Sequence, residues 1–131
     1  MKKALFLLSL LGLMSIGLHA QENPVAKTDS IVFDKMVHDY GTIEQGGDGN
    51  CEFTFTNTGK EPLVLTAVRA SCGCTLPEWP KEPIASGETG VIKVKYDTRR
   101  IGTINKVIRV SSNAVNSNLV LRITGNVVAK Q

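Results

Sequence analysis

Apolar residues recur at every second position along this chain, in short runs separated by clusters of Gly, Asn, Asp and Pro. Cys51, Phe53 and Phe55 alternate with Glu52, Thr54 and Thr56, and Ile92, Val94 and Tyr96 alternate with Lys93, Lys95 and Asp97. Near the end, Leu119, Leu121 and Ile123 alternate with Val120, Arg122 and Thr124. In an extended chain successive side chains point to opposite faces, so each run predicts a strand with one buried face. No sustained 3.6-residue period marks a helix, and the body of the protein reads as all-β.

The remaining segments fill in the architecture. Ile31 to Asp34 starts a first strand that His38 to Ile43 continues after a break, and Gln45 to Gly49 is a turn. Asn57-Thr58-Gly59-Lys60 is a second turn, after which Leu63 to Val68 follows with Leu63, Leu65 and Ala67 in phase. A hairpin with the preceding strand is the simplest reading. From Ser71 to Pro83 alternation stops in a proline-rich connection long enough to cross between sheets, and Ile84 adds a short edge strand. Ile104, Ile108 and Val110 point inward with Lys106 on the same parity, which a bulge or strand end would explain. Gly125 interrupts the last strand. About seven strands with a long crossover predict an immunoglobulin-like antiparallel β-sandwich, in which Phe53, Ile92 and Leu121 share one interior. Trp79 does not stand between cysteines at antibody spacing, so the antibody type of core is not implied.

The first twenty residues break the pattern. Lys2 and Lys3 precede an apolar run from Ala4 to Leu18, closed by His19 and Ala20. That run is short of the roughly 20 apolar residues needed to cross a bilayer, so Met1 to Ala20 reads as a signal peptide cleaved before Gln21. No cysteine stands near the cut for lipid attachment, and no membrane anchor is expected after cleavage. Residues 21–30 read as a flexible lead-in and residues 31–129 as one domain. Export to the periplasm or the outer surface follows. Cleavage removes two lysines and no acid, taking the formal charge from +3 to +1. A near-neutral domain without a basic stripe gives no case for nucleic-acid binding.

Three cysteines, Cys51, Cys72 and Cys74, leave at least one thiol without an intramolecular partner. Cys51 shares the parity of Phe53 and Phe55 and reads as a small core residue, with a bridge to Cys72 or Cys74 open if the segments meet. In Cys72-Gly73-Cys74 both sulfurs of an extended chain face the same way. A fully extended triplet spans roughly 6.6–7.2 Å, at the limit for a disulfide, and Gly73 can bend to shorten it. Two readings stand: a readily reduced disulfide, or a pair of thiolates for a soft ion such as Cu or Zn, with His38 or Met36 as further ligands. A role in shaping the turn competes with both. His38 otherwise bonds a neighbouring loop. Trp79, among Pro77, Pro80 and Pro83, is either a partner-binding anchor or a lid over the sandwich edge. Arg99-Arg100 is a solvated pair in a turn. No catalytic residues are nominated: paired carboxylates, a phosphate loop and H-E-x-x-H are all missing.

Taken together, Phe33-Asp34, His38 to Ile43, Phe53 to Gly59, Pro62-Leu63, Ser71-Cys72-Gly73-Cys74-Thr75, Trp79-Pro80, Pro83-Ile84, Tyr96-Asp97 and Ser112-Asn113 make the chain resemble a family of small exported bacterial immunoglobulin-like proteins catalogued as a domain of unknown function (DUF1573). That family is similar to the Hydin-like branch of immunoglobulin folds, whose members act mostly as interaction modules. The resemblance implies the fold and export, and supplies no reaction. Cys51 lies outside the shared strings. The functional expectation is a non-catalytic module binding envelope proteins, with thiol redox or soft-metal chemistry at Cys72 and Cys74 as the alternative. Intact mass of the exported protein tests the leader: the chain is expected to begin at Gln21, and a mass that retains residues 1–20 refutes cleavage.

Overall fold

The structure, a computed structural model, describes residues 30–131, so the leader and residues 21–29 of the lead-in lie outside the described residues. Eight strands follow in order: β1 (Ile31–Phe33), β2 (Val37–Glu44), β3 (Asn50–Asn57), β4 (Leu65–Ala70), β5 (Thr75–Glu78), β6 (Thr89–Tyr96), β7 (Gly102–Ser112) and β8 (Asn118–Val128). They form two four-stranded sheets, ordered β1-β3-β6-β5 and β2-β8-β7-β4. Phe53, Phe55, Ile92 and Val94 from the first sheet and Ile104, Ile108, Val110, Leu121 and Ile123 from the second belong to one buried cluster. This is the immunoglobulin-like sandwich the alternation predicts.

The first strand divides in two, and β5 forms inside the segment from Ser71 to Pro83 that the sequence reads as a connection, so the described residues hold eight strands and not seven. After Phe33 the chain bends, and its continuation joins the other sheet: β1 pairs antiparallel with β3, whereas β2 pairs parallel with β8. The sheet holding β2 is therefore mixed. β2 bulges between Asp39 and Thr42, where Gly41 takes a φ of 65° and its N–H is held by Asp39 Oδ1 at 2.8 Å. Opposite it, Gly125 on β8 has a φ of 149°, and a Cβ there would lie 2.9 Å from the Gly41 carbonyl. Gly125 thus does not end the last strand; it lets two backbones approach where a side chain would separate them.

Four other expectations change. β3 and β4 are not a hairpin. β4 crosses to the other sheet and pairs with β7, leaving β3 between β1 and β6. A turn signal is local, while the sheet a strand joins is decided by the long-range apolar surface it covers. A register shift between Leu65 and Ala67 also resets the phase of β4, so Val68 and not Ala67 is buried. Lys106 needs no bulge: the β7–β8 register runs unbroken from Gly102↔Val127 to Ser111↔Asn118, and Lys106 stays on the inner parity, half-buried. A lysine there can cover apolar surface with its methylenes while its ammonium reaches water. Ile84 forms only an isolated bridge with Leu63.

One end of the sandwich is fastened by asparagine side chains. Asn57 is 1% exposed. Its Nδ2 donates to the carbonyls of Glu61 (2.8 Å) and Ile84 (2.9 Å), and its Oδ1 accepts the Gly59 N–H. Asn116 accepts the N–H groups of Ser30 and Ile31 and donates to the Ile31 carbonyl at 2.9 Å, acting as a strand partner on the free edge of β1. Ser30 is therefore tied to the domain, one residue before the expected boundary. Asn113 likewise extends the β4–β7 ladder, accepting from Val64 N and donating to the Pro62 carbonyl. Asn57→Ala should destabilise the domain by about 2–3 kcal/mol, because buried carbonyls lose their donor. Chemical denaturation checks this, and a loss below about 0.5 kcal/mol would show the knot to be dispensable.

Candidate functional site

The opposite end is open. After β4 the chain turns through Ser71 to Cys74 and enters β5, which lies against β6 with Thr75 opposite Tyr96. The turn is pinned by its backbone: Ser71 N bonds the Val107 carbonyl, Thr75 N the Cys72 carbonyl, and Asp97 N the Cys74 carbonyl at 2.8 Å. Cys72 and Cys74 are joined by a disulfide with their Cα atoms 5.3 Å apart, shorter than an extended triplet and within the ordinary range. With both sulfurs bonded to each other, neither is free as a thiolate ligand for a soft ion. Among the described residues no three His, Cys, Asp or Glu side chains gather as a metal site.

This bond stabilises little by chain entropy. Closing a three-residue loop restricts the unfolded chain by only about 1.6 kcal/mol, roughly half of what a fifteen-residue loop provides. The two sulfurs also differ. Cys74 is 6% exposed and packs in the core, whereas Cys72 is half-buried at its margin. The Cys74 N–H donates to Cys72 Sγ at 3.2 Å, and the buried Thr75 hydroxyl lies 3.6 Å from Cys74 Sγ.

Beside the disulfide runs a groove of ≈ 690 Å³ lined by Gly46 to Asn50, Gly73, Cys74, Leu76 and Lys95 to Arg99. Its wall is the glycine-rich turn folded back on the end of β6. Gly46 N bonds the Thr98 carbonyl, Thr98 Oγ1 donates to the Gly47 carbonyl at 2.7 Å, and Tyr96 N donates to the Gly49 carbonyl. A Cβ on Gly49 would strike the Tyr96 carbonyl, so only glycine lets the turn sit this close. Leu76 is 62% exposed at the groove, an apolar group among charges. Asp97 holds Arg99 through two contacts, Nε to Oδ1 at 2.8 Å and Nη2 to Oδ2 at 3.0 Å, and accepts the Arg99 N–H. These bonds lower the Asp97 pKa to about 2.

Cys51 and His38 are not part of this group. Cys51 is buried and free, and no bridge to Cys72 or Cys74 forms. Tyr40 joins the two sheets above it, donating its hydroxyl to the Gly49 carbonyl at 2.7 Å with Cys51 Sγ 3.4 Å away. Burial raises the Cys51 pKa and keeps the sulfur a thiol, and burial with the Cys51 contact raises that of Tyr40. His38 stacks edge-on against Tyr40 and takes Lys35 Nζ at its Nδ1, 2.8 Å away; burial and that ammonium lower its pKa. Met36 lies exposed on the surface. Trp79 is half-buried against the core margin, with Lys81 Nζ 2.9 Å from its ring centroid. The sequence marks Gln45 to Gly49 as a turn and carries Tyr40 and Thr75 within its motif strings, but assigns none of them a role beside a cysteine, because only the folded strands bring Thr75 and the turn to the disulfide and Tyr40 to Cys51.

The model of a family described as "Protein of unknown function (DUF1573)" matches residues 31–127. Among curated proteins no sequence relative is found. Solved structures with a similar fold include a protein of unknown function from Porphyromonas gingivalis W83, with a TM-score of 0.68 and 16% identity over 77% of this chain and 48% of that one. The ASH / PapD-like domain of human CEP192 is similar with a TM-score of 0.63 and 12% identity, over 81% of this chain and 90% of that domain. The secreted serine protease VesC of Vibrio cholerae matches at a TM-score of 0.57 and 13% identity, over 75% of this chain and 23% of the protease. The chain thus spans about half of the first protein and about a quarter of the protease. At such identities the likeness is one of fold alone.

The Asp97 clamp has a pH signature. Its folded pKa lies below the ordinary 3.8, so the clamp stabilises fully above that value and loses its contribution as pH falls toward about 2. Carboxyl NMR should place the Asp97 midpoint near 2, and Arg99→Gln should move it up toward the ordinary carboxylate range. A midpoint that Arg99→Gln leaves in place would show that the guanidinium does not hold the carboxylate.

Proposed function

This chain belongs to the DUF1573 family of proteins of unknown function, and from that premise we propose that it is an exported, non-catalytic interaction module that binds another envelope protein in the periplasm or at the outer surface. Three kinds of support converge. The leader-like first twenty residues favour export. Among the described residues no three His, Cys, Asp or Glu side chains gather as a metal site, and the fold resembles domains from unrelated settings, as a reusable scaffold does.

The observation that carries the reading is the groove at the open end. Leu76 stands exposed at its side, with Asp48, Lys95, Asp97 and Arg99 around it. An apolar centre within a rim of both charge signs is how a protein-binding patch is composed, since the centre loses water on contact and the rim sets register. Interspersed charges also match a polypeptide better than a uniformly anionic polymer.

Leu76 offers the test. A photo-crosslinking side chain placed at Leu76 in the native envelope is expected to capture a discrete protein, while the same probe at Ser111, on the far sheet, captures none. Excess purified wild-type domain should compete the product away, and Leu76→Asp domain should compete about tenfold less well. Equal capture from both positions, or no discrete product from Leu76, overturns the groove as the binding surface.

A further inference from the structure

We propose that Cys72–Cys74 is a thiol-exchange couple that oxidises a dithiol in a partner protein, with Cys72 as the attacked sulfur and Cys74 as the leaving sulfur. The assignment follows from the asymmetry of the pair. A thiolate attacks a disulfide sulfur from the side opposite the bond that breaks, so the attacked sulfur must be approachable. Cys72 is the more exposed member, flanked by exposed Ser71 and by Gly73, where even an added Cβ would meet nothing within 4 Å. Cys74 is 6% exposed, packed in the core except where it borders the groove, and is the less approachable sulfur.

The surroundings favour release of the electrons' new holders as thiolates. The partner's first thiolate bonds to Cys72 Sγ, the Cys72–Cys74 bond breaks, and Cys74 departs as a thiolate. Thr75 Oγ1, 3.6 Å from Cys74 Sγ, is the hydroxyl placed to donate to it, and Lys95 lines the same groove. The partner's second thiolate then attacks its own sulfur in the mixed disulfide and releases Cys72 as a thiolate, toward which the Cys74 N–H already points at 3.2 Å. Two electrons pass from the partner dithiol to the cysteine pair: the partner leaves as a disulfide and this domain as a dithiol. A hydrogen bond waiting for each thiolate stabilises the reduced form and makes the disulfide an oxidant. The three-residue loop adds to this, because losing so small a ring costs the fold little. Cys51 does not compete, being buried and held as a thiol.

Small thiols test this without a partner, so its outcome is independent of binding at Leu76. Wild-type protein treated with dithiothreitol without denaturant, then quenched with N-ethylmaleimide and analysed by intact mass and peptide mapping, should gain its first label at Cys72 while its circular dichroism spectrum is unchanged. With glutathione disulfide as probe, Cys74→Ser should form a mixed disulfide at Cys72 about tenfold faster than Cys72→Ser forms one at Cys74. Labels that appear in the wild type only once the domain unfolds overturn the proposal, as do equal rates in the two variants. The wild-type arm decides the matter alone if either variant fails to fold.

Discussion

Two sheets, each apolar on one face only, press those faces together, and the position of every functional group follows from that contact. Phe53, Phe55 and Ile92 on one sheet and Ile108, Leu121 and Ile123 on the other are wholly buried. Each such side chain stabilises by about 1.5–3 kcal/mol relative to exposure, so the cluster dominates the balance. A slip of one residue in any pairing would turn a strand's apolar set outward, and the register is accordingly strict along β7 and β8 and along β3 and β6. The close fit is visible at Gly90, where a Cβ would run into the Phe55 ring.

On this frame the two ends of the sandwich are finished differently. At one end Asn57, Asn113 and Asn116 satisfy backbone groups that no strand reaches. At the other, Tyr40 and Thr98 tie the glycine-rich turn down to leave a groove, and the disulfide sits on its rim. One end is thus closed by side-chain hydrogen bonds and the other is open to solvent, and it is the open end that carries the disulfide.

Where period two holds without interruption, the sequence is transparent: β3, β6 and most of β8 bury the residues their alternation points inward. It is opaque wherever a distant segment decides. The switch of β1 and β2 between sheets, the escape of β4 from its apparent hairpin and the reset of its phase at Ala67 all answer to pairing partners far along the chain. Gly125 reads as a stop because glycine is a poor strand residue, yet here it serves the approach of Gly41. The site follows the same division. Cys72-Gly73-Cys74 announces itself by spacing, but the inequality of its sulfurs, the proximity of Thr75 and the groove come only from β5 lying against β6.

Asn116 has a consequence beyond the tidiness of one loop. A strand with unsatisfied N–H and C=O groups recruits other strands, and in a crowded compartment that is the route to fibrils and to swapped dimers. Here the amide of Asn116 occupies the Ile31 backbone, the bulge at Gly41 breaks β2, and Pro77 removes a donor from four-residue β5. Such borders guard three of the four sheet edges against strand addition, leaving β4 as the edge without one of these devices.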